Sequence, residues 1–480
     1  MSTIIGRKKE TEQLMNLYHS MRSQFVAVYG RRRVGKTYLI RELFKEQFVF
    51  YHTGLSPLEL QDSNLLETQL TAFQSSLIRY GASSEKRPSS WFEAFDRLVA
   101  LLELQDVSKR MVVFIDEMPW MDTPRSGFLT AFEHFWNGWG AGRQNLMLIV
   151  CGSATSWIQD NLINSHGGLY DRVNFEIQLS PFTLHETELL LQSQQVTLSR
   201  YDILQLYMVT GGIPMYLNYV QPGYSLAQII DMLFFNRKAK LNDEFDRLFN
   251  SLFRSPGNYK AIVRLLSDRQ GGYSREEISQ KCGIPSGKSL TDLLWALQAS
   301  DFIEYYQPFE ANKRQKVYRL IDPFCLFYLK QVENRNRGAD FWRDNENHPS
   351  LNAWRGHAFE NACLYHVSQI KHALGVGGVN SENSVWTMQG TACQQGMQID
   401  LIIKRSDRVI NLCEMKFVNT EFEVTKEYEA KLRERLNWMV AHVDRRFNVQ
   451  TTLVTTYGLK YGLHSGAFQR VVTLDALFED

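Results

Sequence analysis

The sequence predicts a multidomain α/β chain, and three observations predict it. Residues 1 to about 180 alternate apolar strand-like runs with longer helical stretches, the pattern of a parallel sheet flanked by helices. A polar stretch at 331–350 (QVENRNRGADFWRDNENHPS) reads as a linker, and a second strand-rich region follows it. At 480 residues the chain exceeds one ordinary core, and length alone suggests about three domains.

The elements follow in order. Apolar runs at 25–29, 47–52, 111–116, 146–151 and 173–179 are the strands expected of the first region. From about 183 to 250 the pattern turns helical, broken by Gly211-Gly212-Ile213-Pro214. Residues 258–300 hold three short helices. Ser274 followed three positions later by Glu277 is a capping-box pattern that starts the second, and Pro285 to Ser289 leads into the third. Residues 301–306 and 317–321 pair as a hairpin around a basic turn at 312–316. Beyond the polar stretch come a long helix, three strand-like runs, a helix near 423–443 and a strand at 451–456, with no internal repeat of fixed period.

Composition excludes several classes. The chain is 44% hydrophobic and 22% charged, with a net charge of +1, so no global field marks it for nucleic acid or a membrane surface. Six cysteines (Cys151, Cys282, Cys325, Cys363, Cys393, Cys413) include no C-x-x-C pair, which argues against a disulfide framework and a structural zinc site. There is no signal-peptide pattern and no apolar run of bilayer length, so the chain reads as cytoplasmic and without a membrane partner.

Residues 30–37, Gly30-Arg31-Arg32-Arg33-Val34-Gly35-Lys36-Thr37, form a complete G-x-x-x-x-G-K-[ST] phosphate-binding loop between an apolar strand and a helix-compatible segment. The glycines let the backbone curl until its N–H groups face phosphate oxygens, and the helix N-terminus adds partial positive charge. Lys36 is expected to reach the outer phosphates and Thr37 to sit on Mg²⁺. The apolar strand 111–115 ends in Asp116-Glu117. At the carboxyl edge of a parallel sheet, Asp116 is placed to hold Mg²⁺ and Glu117 to activate a water. Ser153, at the end of the 146–151 strand, is a candidate sensor of the terminal phosphate. Arg172, before the fifth strand, could stabilise charge on a transferred phosphoryl group within the subunit or across a boundary, and a surface arginine explains it equally.

Together these features resemble the archaeal-type ATPases of the AAA+ and STAND-like P-loop class, over residues 1 to about 330. Gly6-Arg7 ahead of the first strand, the loop GRRRVGKT, Ile115-Asp116-Glu117, the Gly152-Ser153 strand end and the GGIP turn carry the likeness. The resemblance implies ATP as cofactor, with Gly6 and Arg7 against the nucleotide base. It also implies a phosphate-loop strand beside the one ending at Ser153, and Pro214 in a helical lid that closes on the nucleotide. It implies a winged helix at 256–330. That module would place its third helix in a DNA groove or pack inward against the core; Lys288 as the third helix's only cation weakens base readout.

The C-terminal region carries a second constellation. Asp400 lies inside one strand-like run, and Glu414 and Lys416 share one face of the next. Charges inside apolar runs are costly unless paired or functional. Asp400 and Glu414 can hold Mg²⁺, a hard cation, with Lys416 neutralising developing charge, and Glu360 on the preceding helix could join them. An acid, thirteen intervening residues, then Glu-x-Lys after an acid-bearing helix resembles the PD-(D/E)xK nuclease fold, here with Ile399 before the acid instead of proline. A salt-bridged strand pair with a structural role is the other reading.

The expected organisation is thus a P-loop parallel-sheet ATPase core (1–182), helical lid (183–255), winged helix (256–330), linker (331–350) and restriction-endonuclease-like α/β domain (351–480). The expected function is an ATP-hydrolysing switch controlling Mg²⁺-dependent cleavage of nucleic acid, DNA in preference to RNA. The alternative is a regulatory or signalling ATPase whose last domain binds without cleaving. Self-association stays open.

Overall fold

The computed structural model describes residues 4–56, 64–83, 86–164, 167–253, 255–307, 316–333, 337–346, 348–388 and 397–480. The chain forms two compact units, Met1–Ser180 with Asn250–Arg254, and Pro181–Phe249 with Ser255–Asp480.

The first unit is built on a parallel sheet of β1 (Gln24–Tyr29), β2 (Phe48–Thr53), β3 (Met111–Asp116), β4 (Leu146–Gly152) and β5 (Phe175–Gln178), in the order β2-β3-β4-β1-β5. Every residue of β1, β3 and β4 is buried, which is why these strands read as unbroken apolar runs without alternation. The expected strands are all present, and β1 pairs with β4 as the resemblance implied. Helices Trp91–Glu103 and Phe128–Gly138 cover one face with aromatic side chains. Phe25 packs 5.0 Å from Trp136 and 5.6 Å from Phe132, and Phe95 stacks 5.3 Å from Phe135. Each such buried ring contributes about 2–3 kcal/mol. Strand ends and the following loops therefore converge, fixed from below, on the carboxyl edge.

The second unit begins with helices Leu184–Ser193, Arg200–Thr210, Pro214–Leu217, Leu226–Phe234 and Glu244–Leu252, the last ending among the first unit's residues. Helices Gly257–Asp268, Arg275–Cys282 and Lys288–Ala299 follow, with a small sheet of β6 (Tyr273–Ser274), β7 (Ile303–Tyr306) and β8 (Val317–Leu320) in the order β6-β8-β7. The capping box at Ser274 and Glu277 forms as expected, and the basic turn at 312–315 lies outside the described residues. Next come helix Pro349–Tyr365 and the strands β9 (Ser381–Met388), β10 (Met397–Arg405) and β11 (Val409–Lys416). Helix Lys426–His442 leads to β12 (Asn448–Thr455) and β13 (Arg470–Thr473). The sheet order is β13-β12-β11-β10-β9, antiparallel from β9 to β11 and parallel from β11 to β13.

The stretch at 331–350, expected as a linker, carries helix Phe341–Asn345, whose Trp342 is fully buried against Phe327 and Trp354. Composition signalled a polar connector, but one indole with two aromatic partners anchors it. His366 accepts from the Leu184 N–H at 2.9 Å and bonds the Ala362 carbonyl at 2.7 Å, joining the helix Pro349–Tyr365 region to the start of the unit. Burial lowers the His366 pKa to about 4, so the ring is neutral and able to accept. Among the described residues no helix is long and apolar enough to cross a membrane.

Candidate active sites

β1 runs straight into the phosphate loop. Gly30 has φ 137°, and a Cβ there would lie 2.3 Å from the Leu179 carbonyl oxygen, so only glycine lets the chain pass under the segment after β5. Arg33 (φ 73°) and Gly35 (φ 96°) complete the curl, and Gly35 caps helix Lys36–Phe44. Lys36 is buried at 5% exposure; its ammonium donates to the Gly30 and Arg31 carbonyls at 2.9 Å each and to Ser153 Oγ at 3.3 Å. Arg31 and Val34 are buried, while Arg32 and Arg33 are half-buried. Gly6 and Arg7 both adopt left-handed backbone at the start of helix Lys8–His19. The Arg7 guanidinium donates to the Val34 carbonyl at 3.2 Å and the Ser180 carbonyl at 2.7 Å, tying the loop to the chain beyond β5.

The next strands supply the acids. Thr37 Oγ1 donates to Asp116, with its oxygens 2.9 and 3.1 Å away. Burial, and then the neighbouring Glu117 charge, push the Asp116 carboxyl up to about 6. Thr37 and Asp116 are hard oxygen donors in contact, and Asp116 is a buried charge that wants a cation, so this pair fits Mg²⁺. Glu117 sits at φ 46°, which turns its side chain out of the strand direction. It accepts from the Ser153 hydroxyl at 2.6 Å and the Ser153 N–H at 3.0 Å. Ser153 therefore touches both Lys36 and Glu117, and the Asp116 carboxylate that holds Thr37 also accepts the Glu117 N–H at 3.1 Å. Arg172 is exposed on the turn closed by its N–H to the Leu169 carbonyl, outside this cluster. Pro214 belongs to the second unit, at the first position of helix Pro214–Leu217.

In the second unit the other constellation also assembles. The β9–β10 register shifts between Ile399 and Ile402, and the irregularity falls at Asp400. Asp400 Oδ2 accepts the Met415 N–H at 2.9 Å. Lys416 Nζ lies 3.7 Å from Asp400 and 3.4 Å from Glu414. Burial pushes Asp400 up to about 6, with Glu414 adding to it; burial and then Asp400 raise Glu360 well above the carboxylate range. Burial works to lower the Lys416 pKa, but Asp400 and Glu414 outweigh it and raise it. The half-buried Glu360 and the buried Asp400 thus act on each other electrostatically and bring oxygen atoms, the ligand type a divalent cation takes. Glu414 does not present itself in the same way. It accepts from Tyr428 OH at 2.9 Å and is clamped by the Arg435 guanidinium. Glu360 is held by the Gln270 amide from the turn before β6. Among the described residues no three His, Cys, Asp or Glu side chains converge as a metal site. The metal fit is therefore confined to Glu360 and Asp400.

Residues 4–220 match a family model described as an ATPase domain predominantly from Archaea. The chain is also 23% identical over 337 residues to an uncharacterized protein of Methanocaldococcus jannaschii, covering 68% of each. Among solved structures it is similar to a Walker-type ATPase of Pyrococcus abyssi, at 19% identity and TM-score 0.45 over 68% of this chain and 96% of that one. It is similar too to Cdc6p of Pyrobaculum aerophilum, at 16% identity and TM-score 0.32 over 70% and 96%. Residues 4–220 are thus similar to an ATPase domain. The sheet, the glycine-rich loop and the Glu117–Ser153 pair all lie within that span.

Sequence reasoning placed the ATPase domain's contiguous motifs but missed their tertiary supports. Cys151, buried beside Asp116, carried no signal beyond its place in an apolar strand. Tyr428 and Arg435 lie three and ten residues beyond Thr425, on one helix, and only its docking against β11 shows that both face Glu414. Nothing in the sequence pointed to Gln270.

Proposed function

We propose that the chain is an ATP-hydrolysing switch whose C-terminal region, read as a PD-(D/E)xK-like domain, cleaves a phosphodiester in nucleic acid, DNA in preference to RNA. The convergence of Asp400, Glu414 and Lys416, with Glu360 beside them, carries this reading. In the ATPase step, Lys36 and the loop N–H groups hold the phosphates, Thr37 and Asp116 would hold Mg²⁺, and Glu117 takes a proton from the attacking water. Mg²⁺ supplies charge neutralisation when bound. Segment 183–255 is read as a lid and 256–330 as a winged helix, with Arg172 as a residue acting within or between subunits. The ATPase core spans 1–182 and the nuclease-like domain 351–480, with 331–350 as the connecting segment, and the protein acts in the cytoplasm.

The Arg435–Glu414 clamp favours a second reading, in which the C-terminal domain binds nucleic acid or a partner without cleaving. A supercoiled-plasmid nicking assay with Mg²⁺ or Mn²⁺, with and without ATP, separates the two. Asp400→Ala and Lys416→Ala are expected to abolish nicking and leave ATP turnover intact, whereas Lys36→Ala removes turnover. Wild-type protein that turns over ATP but nicks under no nucleotide condition establishes the binding reading.

A further inference from the structure

The first unit holds a cavity of about 560 Å³ next to the Glu117–Ser153 pair, within the size range of small-ligand sites, roughly 300–1,000 Å³. Trp120, Thr123, Asp122, Arg125, Trp157 and Asn161 contribute to its lining. Its two main walls continue the two catalytic strand ends. The 3-10 turn Met118–Trp120 follows Glu117 directly, and helix Thr155–Ile158 begins two residues after Ser153. These walls touch at their base, where a Cβ on Gly152 would lie 2.7 Å from the Pro119 ring.

The lining asks for a particular ligand. Trp120 and Trp157 are half-buried, and among the described residues neither indole stacks on another ring or a cation. The Trp157 N–H donates to Asp122 at 3.0 Å, which fixes that ring's orientation. Thr123 is 4% exposed, and among the described residues its hydroxyl has no hydrogen-bond partner. A buried hydroxyl left unmatched is destabilising, so its position on a cavity wall points to a partner that comes from outside. Arg125 is exposed and holds a left-handed backbone (φ 61°) at the same cavity. A flat heteroaromatic ring satisfies the indoles, a polar ring edge satisfies Thr123, and an attached phosphate satisfies Arg125. A proline or aromatic side chain of a peptide would meet the indoles alone.

We propose that this cavity binds an unpaired nucleobase with its phosphate, from single-stranded nucleic acid or from a free nucleotide other than the one at the phosphate loop, and that its filling acts on Glu117 and Ser153. The binding stands apart from the nuclease reading; only its effect on turnover rests on the ATPase.

The test uses the full chain with two probes, a fluorescein-labelled single-stranded oligodeoxynucleotide and adenosine monophosphate. Binding is followed by anisotropy and tryptophan quenching in Lys36→Ala protein, so that the loop is not a second site. Arg125→Ala and Thr123→Val are expected to weaken the bound probe about tenfold, the scale of one lost stacking or anchoring contact. In protein with Lys36 intact, they are expected to remove any change in ATP turnover caused by that probe and to leave unstimulated turnover unchanged. Dependence on these residues with the oligonucleotide identifies nucleic acid as the source, and with the monophosphate alone a free nucleotide. Trp157→Ala threatens the fold, so the exposed Arg125 carries the decision. Affinity for both probes that is unchanged in Arg125→Ala and Thr123→Val overturns the proposal, as does occupation by a proline-rich peptide that neither probe displaces.

Discussion

Ser153 donates twice to Glu117, through its hydroxyl at 2.6 Å and its N–H at 3.0 Å, while the same hydroxyl receives a hydrogen bond from Lys36 at 3.3 Å. One serine thus links Lys36, proposed to hold phosphate, to Glu117, proposed to take the water's proton. Ser153→Ala keeps the N–H bond and loses the other two. ATP turnover is expected to fall about tenfold with nucleotide affinity little changed, whereas Glu117→Gln is expected to cost at least about a hundredfold in turnover. Steady-state turnover and fluorescent-nucleotide binding check both, and equal turnover in Ser153→Ala and wild type would refute the linkage.

The Asp116 carboxyl, pushed up to about 6, makes the nucleotide-free protein sensitive to pH. Its folded pKa lies above its unfolded value, so its protonated form favours folding. That contribution is full below about pH 4 and is lost as pH rises through about 6. A shift of about two units corresponds to roughly 3 kcal/mol. Asp116→Asn is therefore expected to be more stable than wild type at pH 7 and to lose that advantage near pH 4.5. Melting temperatures across this range, without nucleotide, provide the comparison.

Arg435 clamps a Glu414 that is almost wholly buried. Removing one partner of a buried pair costs about 3–5 kcal/mol when the other charge is left uncompensated, but Lys416 stays 3.4 Å from Glu414. Arg435→Gln is therefore expected to lose less than that in urea unfolding, and Arg435→Gln with Glu414→Gln to recover much of it. A double variant as unstable as the single one would show that the arginine acts by packing.

Gln270 bonds the Glu360 carboxyl from a turn ninety residues earlier. Gln270→Leu is expected to lower stability by about 1 kcal/mol, the low end of the cost of an unmatched polar group, because Glu360 is half-buried. Mg²⁺ is expected to raise the melting temperature of Gln270→Leu more than that of wild type, and Asp400→Asn should cancel the difference. Identical Mg²⁺ responses would place the cation elsewhere.

The chain's local chemistry was legible without coordinates. GRRRVGKT, Asp116-Glu117 and the apolar runs of the first sheet depend on contiguous backbone, where glycine spacing dictates the loop and burial, unbroken in β1, β3 and β4, dictates the strands. The same logic located Asp400, Glu414 and Lys416, because alternation along a strand puts alternate residues on one face. It failed for Trp342, since a polar composition cannot reveal one indole's partners in Phe327 and Trp354.

By itself, then, the sequence determined that this protein has a phosphate-binding loop on a parallel sheet and a second cluster of acids and lysine on a later one. Tertiary structure alone decided what those groups face. Glu117 meets Ser153 across 36 positions, Glu414 meets Arg435 across 21 and Glu360 meets Gln270 across 90. Such pairings follow from which strands are neighbours and which helix face is buried, and these depend on the packing of the whole unit, not on any local spacing.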